Sequence, residues 1–106
     1  MTRVLIPLAP GFEEREAVTL IDLLRRAGIE VVTAGLESGV IQASHGTRLM
    51  PDQPLDRVMD DDFDMIILPG GLPGSTNLDG DPRIHQLLAR HHAEDRFIAA
   101  ICAAPR

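Results

Sequence analysis

Cys102 is the only cysteine in the chain, and its neighbours are those a reactive thiol needs. It follows the apolar run Phe97-Ile98-Ala99-Ala100-Ile101 and sits in Ala100-Ile101-Cys102-Ala103-Ala104, small residues two positions to either side. A nucleophile elbow at a strand-to-helix turn requires that spacing, because bulky side chains there would collide in the strained turn. A thiol so placed stands at a helix N-terminus, where the dipole favours thiolate. An inert core cysteine among alanines has the same spacing, and the pattern fits both.

Two further segments offer partners. Pro69-Gly70-Gly71-Leu72-Pro73-Gly74 follows the strand-like run Met65–Leu68. Glycines at a strand end let bare N–H groups approach a substrate oxygen, as an oxyanion hole requires; a turn demanding positive φ would use the same residues. Glu16 stands in the opening turn of a helical pattern, next to Ala17 on the inward stripe Ala17-Leu20-Ile21-Leu24. A carboxyl at that edge is partly desolvated and holds its proton, so it can donate a hydrogen bond to a thiolate. Glu13 and Glu14, by contrast, read as charge at a helix start.

Other chemistries are argued against. The first loop, Gly11-Phe12-Glu13-Glu14-Arg15-Glu16, is not a glycine fingerprint, and its three carboxylates would repel a pyrophosphate. No histidine pairs with another His or with Cys at ligand spacing, so no metal site is expected. His91 extends the Ile84-Leu87-Leu88 stripe as a core histidine, His85 and His92 look solvated, and His45 falls in a turn. Asp60-Asp61-Asp62 reads as a solvated acidic loop.

The elements that must position these residues follow from hydrophobic period. Arg3–Leu8, Ile29–Ala34, Met65–Leu68 and Phe97–Ile101 are short apolar runs, the form of strands buried on both faces. Glu13–Ala27 is helical, with acids first, Arg25-Arg26 last and Gly28 as the stop. Pro82–His92 is a second helix. Val40–Ala43 and Thr47–Met50 flank Ser44-His45-Gly46 as a hairpin, and Pro51–Asp62 is polar, with a short helical stretch at Leu55–Met59. Strand, helix, strand within about thirty residues is the βαβ signature of a parallel sheet. The expected fold is an open, mostly parallel α/β sheet with helices on both faces.

The chain has 106 residues, 44% hydrophobic and 25% charged, with a net charge of −6. That is one modest globular domain. No basic stretch exceeds Arg25-Arg26, which argues against nucleic acid and anionic lipid as partners. Val4-Leu5-Ile6 before Pro7 is too short for a signal core or a membrane span, and a lone cysteine fits a reducing, cytoplasmic setting. Only two sizeable helices are available to cover the sheet, and the chain stops where a third should begin. Residues 1–106 are therefore expected to be the N-terminal part of a single domain, incomplete as given, which a remaining C-terminal polypeptide completes.

Three separated segments then coincide in register. Leu8-Ala9-Pro10-Gly11-Phe12-Glu13-Glu14-Arg15-Glu16-Ala17-Val18, Leu68-Pro69-Gly70-Gly71 and Ile98-Ala99-Ala100-Ile101-Cys102-Ala103-Ala104-Pro105 resemble the ThiJ/PfpI superfamily, in its parkinsonism-associated deglycase and YajL-type branch. Arg25-Arg26-Ala27-Gly28-Ile29 fits the same branch. The resemblance implies a flavodoxin-like domain that forms homodimers and works without a cofactor. It implies that Glu16 hydrogen-bonds the reactive Cys102, and that the amides of Gly71 and Ala103 line the site beside Gly70. Implied activities are conversion of methylglyoxal to a hydroxy acid, repair of early glycation adducts, chaperoning, and redox sensing through sulfinate.

The chain departs from the family in length, which is nearly twice as great there. The family's site histidine lies beyond residue 106 and is assigned to no residue here. His45 stands where close relatives carry an arginine that makes a dimer contact. The expected function is that of a cysteine enzyme of the glyoxalase or deglycase type, acting on α-oxoaldehydes or glycated adducts. The rivals are a redox-sensing chaperone with an oxidisable Cys102 and a PfpI-type peptidase or amidase. Against an amidotransferase, Ala100 and Ala104 replace the glycines usual in that elbow.

Overall fold

The structure is a computed structural model that describes residues 2–71 and 73–100. Strand β1 (Arg3–Leu8) leads through a turn at residues 9–13 into helix α1 (Glu14–Arg26) and strand β2 (Glu30–Gly35). A small antiparallel hairpin, β3 (Ile41–Gln42) and β4 (Arg48–Leu49), precedes the short β5 (Gln53–Pro54) and α2 (Leu55–Val58). Then come β6 (Met65–Leu68), α3 (Gly74–Asp79), α4 (Pro82–Ala93) and β7 (Phe97–Ala100). The five sheet strands run parallel in the order β5-β2-β1-β6-β7. This is the expected flavodoxin-like α/β architecture.

Alternation along β1 divides the interior in two. Leu5 joins Ala34, Ile66, Leu78, Ile84 and Leu87 on the face covered by α2, α3 and α4. Val4, Ile6 and Leu8 join Phe12, Ala17, Val31 and Ile41 on the face covered by α1 and the hairpin. Burial on both faces is why β1, β2 and β6 read as unbroken apolar runs; β7, expected to be buried likewise, instead exposes Phe97 and Ile98 at the edge of the described sheet. Helix α1 forms as its sequence demands. The Glu13 carboxylate caps it, accepting from the Arg15 N–H at 2.9 Å, with acids first and Arg25 and Arg26 last. His91 lies fully buried, while His45, His85 and His92 are exposed.

Two elements depart from the sequence expectation. Helix α3 falls in a stretch to which the sequence pattern assigns no element, because Gly74, Ser75, Thr76 and Asn77 are poor helix formers. Tertiary contacts hold it: Leu78 is buried, the Gly74 N–H donates to Gly11 O at 3.0 Å, and the Asn77 side-chain amide donates to Pro10 O at 2.7 Å. Strand β5 is two residues long and contains Pro54, which a sheet edge tolerates. Arg25 and the Thr33 N–H both donate to Asp52, just ahead of it, at 2.9 and 3.0 Å.

The 9–13 turn and the β6–α3 connection touch backbone to backbone. A Cβ on Gly74 would lie 2.6 Å from Phe12 Cα. An alanine inside a helix ordinarily adds up to about 1 kcal/mol relative to glycine; at Gly74 overpacking should reverse that sign and cost ~1–3 kcal/mol. Gly80→Ala, whose Cβ meets nothing nearer than 3.5 Å, should be neutral or slightly stabilising. Denaturant midpoints of the two variants in the natural full-length chain, at unchanged m, provide the check. Equal midpoints would mean that the loops part at no cost.

Candidate functional site

From β1 the chain moves to one side of the sheet, to β2 and β5, and later returns to the other, to β6 and β7. The order reverses between β1 and β6. In open α/β sheets the crevice outside the strand ends at such a point is where ligands bind, and Gly70, Gly71 and the start of α1 that carries Glu16 lie beside it.

Glycines close the floor of this crevice. The Glu13 N–H donates to Gly70 O at 3.1 Å, so the Gly70 carbonyl is spent on joining the start of α1 to the end of β6. Gly71 follows with φ 94°, and a Cβ there would lie 2.8 Å from Glu13 N. Both reasons for glycine, the turn and the close approach, hold at Gly71. Among the described residues its N–H is spent on no backbone carbonyl, which leaves a donor at a strand end.

Glu16 stands in the first turn of α1, beside the buried Ala17. Its Oε1 is buried and has no hydrogen-bond partner among the described residues. A buried carboxylate oxygen without a donor is costly to leave so, and such groups call for a ligand, a water or a reacting neighbour. Cys102 and Ala103 lie outside the described residues. Strand β7 pairs in register with β6, Ala100 opposite Leu68. The chain thus reaches residue 100 beside the strand that ends in Pro69-Gly70-Gly71.

The fold also brings together residues that spacing along the chain kept apart. The Glu14 carboxylate is clasped by the hairpin turn. It accepts from the N–H groups of His45 at 3.1 Å and Thr47 at 3.2 Å, from the Ser44 hydroxyl at 3.3 Å, and from His45 Nδ1 at 2.8 Å. Glu13 Oε2 lies 3.7 Å from the same His45 nitrogen. These three side chains form a group of potential metal ligands, their ligand atoms within 4.8 Å of one another. They line an open cavity of about 330 Å³ with Arg15 and Thr47. Glu14 is therefore more than helix-start charge: it fastens the hairpin to α1. Sequence distance hid this, since Glu14 and His45 are 31 residues apart.

Burial alone would raise the Glu14 carboxyl, but the hydrogen bonds from His45, from its own backbone and from Thr47 outweigh it and hold the group at about 2. The hydrogen bond to Glu14, with the charges of Glu14 and Glu13, raises His45 above its ordinary value of 6.5. A raised histidine contributes stability that is complete below 6.5 and is lost as pH climbs through the folded value. The His45 ring proton signals should therefore titrate above 6.5 by NMR. Glu14→Gln should move that midpoint down, and an unmoved midpoint would detach His45 from Glu14.

The model of the DJ-1/PfpI family matches residues 2–106. The chain is 44% identical over 102 residues to Protein dj-1beta of Drosophila melanogaster, covering 95% of this chain and 54% of that protein. It is 39% identical over 93 residues to the glutathione-independent glyoxalase DJR-1.2 of Caenorhabditis elegans, covering 88% and 50%. Among solved structures, oxidized DJ-1 of Toxoplasma gondii superposes with a TM-score of 0.96 at 40% identity, over 99% of this chain and 58% of that one. The chain spans about half the length of these relatives. Among the described residues, no helix is long and apolar enough to cross a membrane.

Proposed function

The chain belongs to the DJ-1/PfpI family, and from that premise we propose that it is the thiol-bearing part of a cofactor-independent enzyme for α-oxoaldehydes. The observation that carries this reading is the unpartnered, buried Oε1 of Glu16 at the switch point of the sheet. The glyoxalase named among its relatives supports the substrate class.

In the proposed reaction the Cys102 sulfur adds to the aldehyde carbon of a substrate such as methylglyoxal, and the carbonyl oxygen takes up a proton to give a hemithioacetal. The amides of Gly71 and Ala103 hold that oxygen as its charge develops. Glu16 carries the proton from the former aldehyde carbon to the neighbouring carbon, while the hemithioacetal hydroxyl proton passes to the ketone oxygen, which leaves a 2-hydroxy thioester. Water then hydrolyses the thioester, so the net change is aldehyde plus water to hydroxy acid, with the thiol restored. Early glycation adducts offer the same masked carbonyl. The polypeptide that makes up the rest of the relatives' length would complete the domain, supply a further proton-transfer group and support a homodimer in a reducing, cytoplasmic setting.

Methylglyoxal consumption by the natural full-length protein is the test. Cys102→Ser should abolish it, and Glu16→Gln should lower kcat by about 10²–10⁴, the usual worth of a positioned acid–base group. A Glu16→Gln variant with full kcat would remove Glu16 from the mechanism.

The oxidized state of the Toxoplasma gondii relative favours a second reading, in which Cys102 is chiefly a redox sensor. Mild peroxide should then add two oxygens at Cys102, and Glu16→Leu should lose the oxidised form faster. A protein that oxidises in this way yet leaves methylglyoxal untouched would select the second reading.

A further inference from the structure

His91 belongs to neither the candidate site nor its supports, and its surroundings are unusual. It lies near the end of α4, fully buried, and neither ring nitrogen has a hydrogen-bond partner among the described residues. The buried Arg90 Nε beside it is likewise without one. The charged side chains acting on the ring are both cations, Arg90 on α4 and Arg96 on the turn before β7. Arg90 is tied to the α2–β6 connection, donating to Met59 O at 2.7 Å and Asp61 O at 2.8 Å. Arg96 donates to Phe63 O at 2.8 Å, and the acids of this corner, Glu94 and Asp62, face Arg96 at 3.4 and 3.9 Å. The carbonyls of Leu87 and Phe63 favour a ring cation more than either arginine opposes it, but burial outweighs them.

We propose that His91 is an acid-triggered release for the corner joining α4 to β7, since a proton on its ring would place a third cation beside Arg90 and Arg96 in a buried position where no carboxylate among the described residues partners it. The turn from α4 to β7 closes on the same residue: the Arg96 N–H donates to the His91 backbone carbonyl at 2.8 Å. Release would loosen α4 and β7 while β1 and β2, on the far side of the sheet order, keep their pairing. The proposal goes beyond the proposed reaction and holds whether or not that reaction does.

The sign follows from linkage. Burial, with the two arginines, lowers His91 below its ordinary 6.5, whereas the released state binds a proton at the ordinary value. Below 6.5 the released state therefore holds one more proton. Its population should rise about tenfold for each unit of falling pH, levelling once the closed form also protonates. Above 6.5 the contribution to closure is complete.

Hydrogen exchange of the natural full-length protein from pH 7.5 down to about 5, expressed as protection factors, tests this. Protection in residues 84–100 should fall about tenfold per unit below 6.5, ahead of residues 3–8 and 30–35. His91→Gln, which is neutral throughout, should remove that slope. A wild-type profile in which both regions lose protection together overturns the proposal, as does an unchanged slope in His91→Gln. The wild-type regional comparison stands even if the variant fails to fold.

Discussion

The contact on which the rest of the structure depends is the backbone crossing at the carboxyl ends of β1 and β6. Two connections that belong to opposite sides of the sheet meet there, backbone against backbone at two glycines. Gly74 lies against Phe12, and Gly71 against Glu13. The hydrogen bonds Gly74 N–H to Gly11 O and Glu13 N–H to Gly70 O close the crossing at 3.0 and 3.1 Å. A Cβ on either glycine would have to displace backbone, which cannot give way as a side-chain tip can. This crossing fixes where α1 starts, and so where Glu16 stands. It also fixes where α3 starts, although the sequence of that helix has little helical preference of its own.

The three acids at the start of α1 show how one local charge pattern divides into separate tasks. All of them suit the positive end of the helix dipole, and on composition they are interchangeable. Position along the turn separates them. Glu13 caps the helix from its own backbone side. Glu14, one residue on, turns outward to the hairpin and is saturated by donors from Ser44, His45 and Thr47. Glu16 falls beside the inward Ala17 and retains a buried oxygen with no donor. Hydrogen bonds fix the first two carboxylates, so the orientation of the helix start does not depend on the third. A carboxylate relieved of structural duty is free to take part in chemistry.

Features set by local pattern were legible from the residues; features set by contact across the fold were not. Strands β1, β2 and β6 stand out because burial on both faces makes them continuous apolar runs, and α1 and α4 because their stripes, caps and terminal charges agree. The inward place of His91 follows from the Ile84-Leu87 stripe alone. Helix α3 is hidden because its stability comes from Gly11, Pro10 and the buried Leu78 rather than from its own Gly-Ser-Thr-Asn. Strand β5 is hidden because two residues carry no period and one of them is proline. In the candidate site, Glu16 and the paired glycines were legible as types at strand and helix ends. The clasp of Glu14 by His45 was not, since nothing near either residue announces a partner 31 positions away.

Two groups of buried polar atoms remain unspent, and they lie in different layers. Glu16 sits with the core shared by α1 and the hairpin; His91 sits on α4, which covers the other face. Their chemical characters are opposite. A buried carboxyl oxygen left without a partner at the helix start suits a place where a thiol or a substrate hydroxyl arrives. A buried imidazole beside two arginines resists taking a second proton, and so suits a place where structure must respond to acid. Neither follows from hydrophobic pattern, which would have put a leucine at both positions at lower energetic cost. A fold that keeps such atoms beside its switch point, and under the corner that leads into β7, gives up stability at two places that bear on its final strand.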